Sequence, residues 1–201
     1  MEIAEAKSSS LPGALVFWNS GLQILSESFI QRTVFASTDG GSDLSDNPKR
    51  RIVNDMNISI ASGVAGAVTV TVLNEAVRRA APEIAPRMEI LGMRAAKAGF
   101  EAAEMEVPPR RQLMPMTFAA EAVSNTAYYS LVGLAKPENA IVTGALLGLA
   151  AGIGAVVLPG PMGLGEAPSG RSTETKLMAV AWYLAGGLAA GVVRKMVNGK
   201  R

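Results

Sequence analysis

One carboxylate, Glu121, lies inside an otherwise uncharged stretch of the chain, residues 113–135. Polar side chains recur around it at helical spacing and would share with it an arc of about 100° on a helix. They are Thr117, Ser124, Asn125 and Tyr128. A carboxylate at the centre of a membrane helix costs about 2.5–3.5 kcal/mol, so we expect it to face protein or water. The stripe predicts a polar path, a site that binds a lipid headgroup, or hydrogen bonds that hold helices together.

A second polar group, Asn74 and Glu75, closes the first apolar stretch of the chain. Arg78 and Arg79 follow Glu75 at the i+3 and i+4 spacings, which are typical of ion pairs on one helix face. The pattern favours a self-neutralising cluster at a helix end. The alternative hypothesis is that Glu75 or one of the arginines partners Glu121 across a bundle of helices.

The composition excludes several classes of chemistry, because the chain contains no His and no Cys. Histidine-ligated metals, Ser–His or Cys–His nucleophile pairs, disulfides and thiol catalysis are all excluded. Neither a dinucleotide-binding fingerprint nor a phosphate-binding loop is present. The net charge of +2 is too small to indicate nucleic-acid binding. The sequence therefore predicts no catalytic residue, no cofactor and no metal, and favours a protein that is not an enzyme.

Four stretches are apolar enough to suggest membrane spans. The clearest, 140–158, has about 19 uncharged residues, which at about 1.5 Å per residue is roughly 28 Å of helix. The hydrocarbon core of a bilayer is about 30 Å thick. The other three are 56–74, 113–135 and 177–193. The connection at 136–139 is short and predicts an antiparallel hairpin, and Ser172 is a predicted N-cap for the last helix.

Small residues recur along these stretches at the spacing of close helix contacts. Gly144, Gly148 and Gly152 form a doubled GxxxG pattern, and Gly187 and Gly191 repeat it in the last stretch. The first stretch carries Gly63 and Gly66 on one face, together with Ser59, Ala67, Val70 and Asn74. In lipid, small residues let helix backbones approach closely, so these positions predict helix-packing faces.

The remaining segments frame the predicted membrane domain, 56–197. Residues 1–36 predict a polar tail followed by an amphipathic helix, which would lie in the membrane interface or pack on a protein partner. Residues 37–55 predict a linker, and residues 87–107 a charged amphipathic helix in the first long loop. The fold class that follows is all-α, a membrane bundle of about four short transmembrane helices.

The orientation of this bundle is left open by the sequence. Lys and Arg residues divide almost equally between the two sides of a four-span arrangement, so the positive-inside rule gives no direction. A three-span arrangement is the alternative, with 56–74 re-entrant and the basic segment around 78–111 on the same side as the N-terminal residues.

Three strings occur in an order that resembles small bacterial inner-membrane proteins of uncharacterised function. They are Arg87–Gly92 (RMEILG), Tyr128–Gly133 (YYSLVG) and Gly160–Gly165 (GPMGLG). The likeness covers roughly residues 56–196 and implies a bacterial cytoplasmic membrane, without an activity to transfer.

Abundant packing motifs and absent catalytic ones favour a non-enzymatic accessory or scaffold subunit of a membrane assembly. Its expected partners are the lipid bilayer and either other membrane subunits or further copies of itself. The alternative hypothesis is a small-solute or proton-coupled transporter or channel that uses the polar stripe around Glu121. An intramembrane enzyme is the least favoured, since a single buried carboxylate falls short of a catalytic pair.

Overall fold

The computed structural model describes residues 48–165 and 170–198, and the regular structure within these residues is entirely helical. The prediction of an all-α fold is confirmed for this part of the chain. Five α-helices follow one another: α1 (Pro48–Ala80), α2 (Met88–Ala102), α3 (Arg110–Gly133), α4 (Ala140–Val157) and α5 (Thr173–Asn198). A short 3₁₀ turn, Pro137–Asn139, leads into α4.

The chain divides into two compact units, Met1–Asp55 and Met56–Arg201. The tail and helix predicted over 1–36, and the predicted linker as far as residue 47, lie outside the described residues. The linker prediction fails for residues 48–55, which are the first turns of α1. Proline is tolerated at the start of a helix, and no further proline interrupts the chain until Pro82, so the helix continues from Pro48 through the whole apolar stretch.

Three of the helices in the described residues are long and apolar enough to cross a membrane. They are Ile52–Ala80, Pro137–Val157 and Thr173–Val197. These contain three of the four predicted spans, to within one residue at one end of the second. Helix α3 contains the fourth, but its mean hydropathy is lowered by Glu121 and the polar residues around it, so four spans do not follow from apolarity alone.

Hydrogen bonds between distant segments show how the helices of the second unit are arranged. Arg194 Nε, near the end of α5, donates to the carbonyl of Ala135 in the turn between α3 and α4 (3.0 Å). Thr175 Oγ1, in the first turn of α5, donates to the carbonyl of Ile84 just after α1 (3.0 Å). The loop after α1 therefore lies beside the start of α5, and the α3–α4 turn lies beside its end. We call the end of the bundle that contains the loop after α1 and the start of α5 the α2 end.

Helices α4 and α5 pack backbone against backbone. A Cβ on Gly144 would overlap the carbonyl of Gly187, and a Cβ on Gly187 would overlap the carbonyl of Gly144. Further along, a Cβ on Gly152 would lie 2.6 Å from Val180 Cα, which is too close for any side chain. Two more glycines lie in the same contact, Gly148 and Gly191. Larger residues at these positions would force the two helices apart.

Helix α1 uses its small residues in the same way against α3. A Cβ on Gly66 would lie 2.6 Å from the ring of Tyr129, and one on Gly63 would overlap the hydroxyl of Ser130. In return, a Cβ on Gly133 would lie 2.7 Å from Ser59 Oγ. The buried core forms where these helices meet α5 and contains Val70, Tyr129, Val132 and Ala190.

Candidate functional site

Helix α3 turns its polar side chains toward the other helices. Thr117 is 7% exposed, and the other four predicted members of the stripe are half-buried: Glu121, Ser124, Asn125 and Tyr128. Between residues 113 and 133 the exposed positions are all apolar. They are Met114, Pro115, Met116, Phe118, Ala119, Ala120, Ala122, Val123 and Ala127. Between residues 113 and 133, the side chains that lower the mean hydropathy of α3 are therefore not the exposed ones.

Two members of the stripe bond only to their own helix. Thr117 Oγ1 donates to the carbonyl of Leu113 (2.8 Å), and Ser124 Oγ donates to the carbonyl of Ala120 (2.6 Å). Such bonds satisfy a hydroxyl without committing it to a ligand or to another helix. These residues are thus compatible with a polar lining but do not by themselves join α3 to its neighbours.

Two tyrosines do join α3 to its neighbours. The hydroxyl of Tyr128 donates to the carbonyl of Leu147 on α4 (2.9 Å), and the hydroxyl of Tyr129 donates to the carbonyl of Tyr183 on α5 (2.7 Å). The Tyr128 and Tyr129 rings also meet edge to face, with centroids 5.5 Å apart. Helical spacing placed Tyr128 in the predicted stripe but did not single out Tyr129 or Tyr183. The hydrophobic spacing made these two indistinguishable from core residues.

Two asparagine side chains each have a buried atom without a hydrogen-bond partner among the described residues. Asn125 Nδ2 on α3 and Asn74 Oδ1 on α1 are inaccessible to solvent, and neither has a partner within the described residues. The Asn125 amide nitrogen needs an acceptor and the Asn74 oxygen needs a donor. Buried polar groups are rarely left unsatisfied, because each costs about 1–3 kcal/mol. Asn125 Nδ2 can therefore donate a hydrogen bond to a water or another small polar molecule, and Asn74 Oδ1 can accept one from it.

Glu121 is surrounded by groups from two other helices. The carboxylate of Glu89 on α2 and the hydroxyl of Tyr183 on α5 lie within electrostatic range of it. Within the residues that the structure describes, Glu121 forms no ion pair. Glu89 was missed from sequence because it was assigned to a loop helix. Only the packing of α2 against α3 brings the two carboxylates together.

Glu75 lies in a separate group at the end of α1. Its carboxylate is 2.6 Å from Arg78 Nη2 and 2.6 Å from Arg79 Nε, the ion pairs that the i+3 and i+4 spacings predict. The contacts of the described residues give Glu75 these partners and not Glu121, so the cross-bundle hypothesis has no contact in its support. Arg78 lies within electrostatic range of Glu89, and thereby connects the two acidic groups.

Helix α2 is packed more closely on the bundle than a surface loop helix. A Cβ on Gly92 would lie 2.5 Å from Thr117 Cγ2, and Met88 is 7% exposed. Arg94 Nη1 donates to the carbonyl of Leu164 in the loop after α4 (2.7 Å). The predicted helix over 87–107 is present as Met88–Ala102, but it lies against α3.

A search of the described residues for metal sites found no group of three or more acidic, His or Cys side chains able to hold an ion. A shallow open depression is lined by Lys49, Arg50, Val53 and Asn54 in the first turns of α1. It contains none of the polar stripe.

Comparisons of this chain with protein-family models, with curated proteins and with solved structures found no match.

Proposed function

We propose that this chain is a multi-pass protein of the bacterial cytoplasmic membrane that crosses the bilayer four times. We further propose that it serves as a non-enzymatic accessory or scaffold subunit of a membrane assembly. The observation that carries the membrane part of this proposal is the outward face of α3, where every exposed residue from 113 to 133 is apolar.

The outward faces of the three apolar helices support the same placement. Val68 and Val72 on α1, Val142 and Leu146 on α4 and Leu177 on α5 are each more than half exposed. Soluble monomers rarely expose apolar patches of this extent, because water around them is unfavourable. Lipid tails cover such faces without that cost.

The arrangement of polar and charged residues on α3 supports it as the fourth span. Its polar residues face the bundle, as polar residues in membrane helices do, and its ends are marked by Arg110 and Lys136. A span here also gives the up-and-down order that the end contacts indicate: the Arg194–Ala135 bond at one end and the Thr175–Ile84 bond at the other.

The scaffold role is supported by the close helix contacts. Gly144 and Gly187 bring the backbones of α4 and α5 together without room for a side chain, which leaves no path between these two helices. A rigid pair of this kind presents fixed outer faces to lipid, to other membrane subunits or to a second copy. Neither enzymatic residues nor a cofactor are needed for this role.

A proton-coupled transporter or channel is the second candidate. It is favoured by Glu121, which has no ion pair in the described residues, together with the unpartnered amide atoms of Asn74 and Asn125. If it is correct, liposomes containing the protein show proton or solute flux that Glu121→Gln abolishes and Glu101→Gln does not. Flux that is unchanged in Glu121→Gln would remove this residue from the mechanism.

The four-span arrangement is tested by single-cysteine labelling, because the native chain has no Cys. Cysteine is introduced singly at Arg50, Gly99, Asn139, Met162 or Met196, and intact cells are treated with a membrane-impermeant maleimide. We expect cysteines at Gly99 and Met162 to share one labelling result, either both labelled or both protected. Cysteines at Arg50, Asn139 and Met196 should give the opposite result.

Each other pattern contradicts a specific part of the proposal. If Gly99 and Asn139 lie on one side, α3 does not cross. If Arg50 and Gly99 lie on one side, α1 does not cross. The scaffold role is tested separately by the mass of the detergent-solubilised protein. A lone monomer with no co-purifying subunit would contradict it.

A further inference from the structure

The contact between α2 and α3 sets which of their side chains face each other. These helices are joined by a short loop, 103–109, and a Cβ on Gly92 of α2 would lie 2.5 Å from Thr117 Cγ2 of α3. A short connection between two helices in contact favours an antiparallel arrangement. Residues three or four apart share a helix face. Glu89 precedes Gly92 by three positions and Glu121 follows Thr117 by four, so both carboxylates lie at this contact in the same layer. The electrostatic range between them agrees with this register.

This layer lies well inside the span formed by α3. Thr117 and Glu121 come after Arg110 by roughly 10 and 16 Å of helix, at about 1.5 Å per residue. None of residues 88–93 on α2 is exposed, and the exposed charges of α2 begin only at Arg94. The first half of α2 therefore lies at the same depth as residues 117–121 of α3, further into the bundle than Arg94 and Arg110.

Few other charges face the two carboxylates. From α1, Arg78 lies within electrostatic range of Glu89, and from α5 the hydroxyl of Tyr183 lies within range of Glu121. Helix α4 has no ionisable residue between 140 and 157. On α2 itself, Arg94 donates to the carbonyl of Leu164. Among the described residues, Arg78 is the cation within electrostatic range of this pair, and it is already paired with Glu75.

We propose that Glu89 and Glu121 act as a proton-dependent latch that docks α2 on α3. While Glu121 holds a proton, it does not repel the carboxylate of Glu89, and the Gly92–Thr117 contact stays closed. When the proton leaves to water at the α2 end, two adjacent carboxylates repel each other out of bulk water and α2 separates from α3. The latch rests on the proposed membrane insertion, because open water would screen the repulsion.

The latch is tested by the distance between spin labels on the two helices. Ala95→Cys on α2 and Val123→Cys on α3 place labels at exposed positions of the Cys-free chain, reconstituted in lipid nanodiscs. We expect a short, narrow distance distribution in acidic buffer and a longer, broader one in alkaline buffer. Glu121→Gln and Glu89→Gln should each keep the short distance in both buffers, since one charge cannot repel a neutral amide.

A matched control separates the latch from general charge effects. Glu101 also lies on α2, but it is exposed and faces Lys97 at 3.7 Å, so Glu101→Gln should keep the full response to pH. A wild-type distance that does not change between the two buffers overturns the latch, as does a response that persists in Glu121→Gln.

A variant that fails to fold is recognised because it lacks the short distance in acidic buffer. Hydrogen exchange of the unlabelled wild-type protein then provides the second readout. After correction for intrinsic exchange rates, we expect residues 88–102 to exchange more slowly in acidic than in alkaline buffer. Failure of the membrane proposal looks different, since the protein would be recovered in the soluble fraction and would not enter nanodiscs.

Discussion

The carbonyl of Gly187 on α5 occupies the space that a side chain on Gly144 of α4 would need, and the carbonyl of Gly144 does the same to Gly187. This reciprocal contact fixes the separation and register of the two helices. Because backbone atoms on both sides meet, neither residue can be enlarged by turning a neighbouring side chain away.

The first prediction concerns this contact. Gly144→Ala should lower the free energy of unfolding by about 1–3 kcal/mol, the usual cost of overpacking. The matched control is Gly99→Ala on α2, where nothing lies within 4 Å of the new methyl group. The control should be neutral or stabilising by up to ~1 kcal/mol, since Ala favours helix more than Gly. Unfolding in mixed micelles by added SDS, followed by circular dichroism, measures both. Equal stability of the two variants would show that α4 and α5 separate easily.

The second prediction concerns the bond between α3 and α5. Tyr129 is fully buried and its hydroxyl donates to the carbonyl of Tyr183, so Tyr129→Phe should cost about 0.5–1.5 kcal/mol. Tyr183→Phe is the control, because it keeps the accepting backbone carbonyl, and its effect should be smaller. The same SDS titration measures both. If Tyr183→Phe were the more damaging variant, the contribution of the interhelical bond would be in doubt.

The third prediction concerns the outward face of α3. Val123 is 68% exposed and lies near the middle of the helix, so Val123→Lys should cost about 2.5–3.5 kcal/mol of membrane insertion. Single cysteines at Gly99 and Asn139 would then be labelled from the same side of the membrane. Ala95→Lys is the control, since Ala95 is exposed among the charges of α2 and should insert normally. Normal insertion of Val123→Lys would mean that water, not lipid, covers α3.

The fourth prediction concerns the start of α5. Ser172 Oγ accepts a hydrogen bond from the backbone N–H of Thr175 (3.2 Å), as the N-cap prediction requires. Ser172→Ala should therefore destabilise the helix by about 0.5–2 kcal/mol, whereas Ser172→Asp should retain the cap. Hydrogen exchange of the first turn of α5 measures the effect locally. Unchanged exchange in Ser172→Ala would show that the Thr175–Ile84 bond alone holds this end.

The sequence by itself determined the helical class, the approximate helix positions and the buried face of α1. Gly63, Gly66 and Val70 share a face by their spacing, and all three are buried. It also determined the ion pairs of Glu75, because an i+3 or i+4 pair depends only on the helix that contains it. The extension of α1 back to Pro48 was missed, since polar residues resemble a linker whether or not they are helical.

Only the tertiary structure decided what meets Glu121. The sequence offered Glu75 as a partner, whereas packing brings Glu89 within electrostatic range of Glu121 and leaves Glu75 with its neighbouring arginines. The tertiary structure also showed that the polar residues of α3 face inward, which an average over the helix conceals. The physical reason is the same in both cases. Spacing along one helix defines its faces, but the contacts between helices determine which faces meet and which are left for lipid.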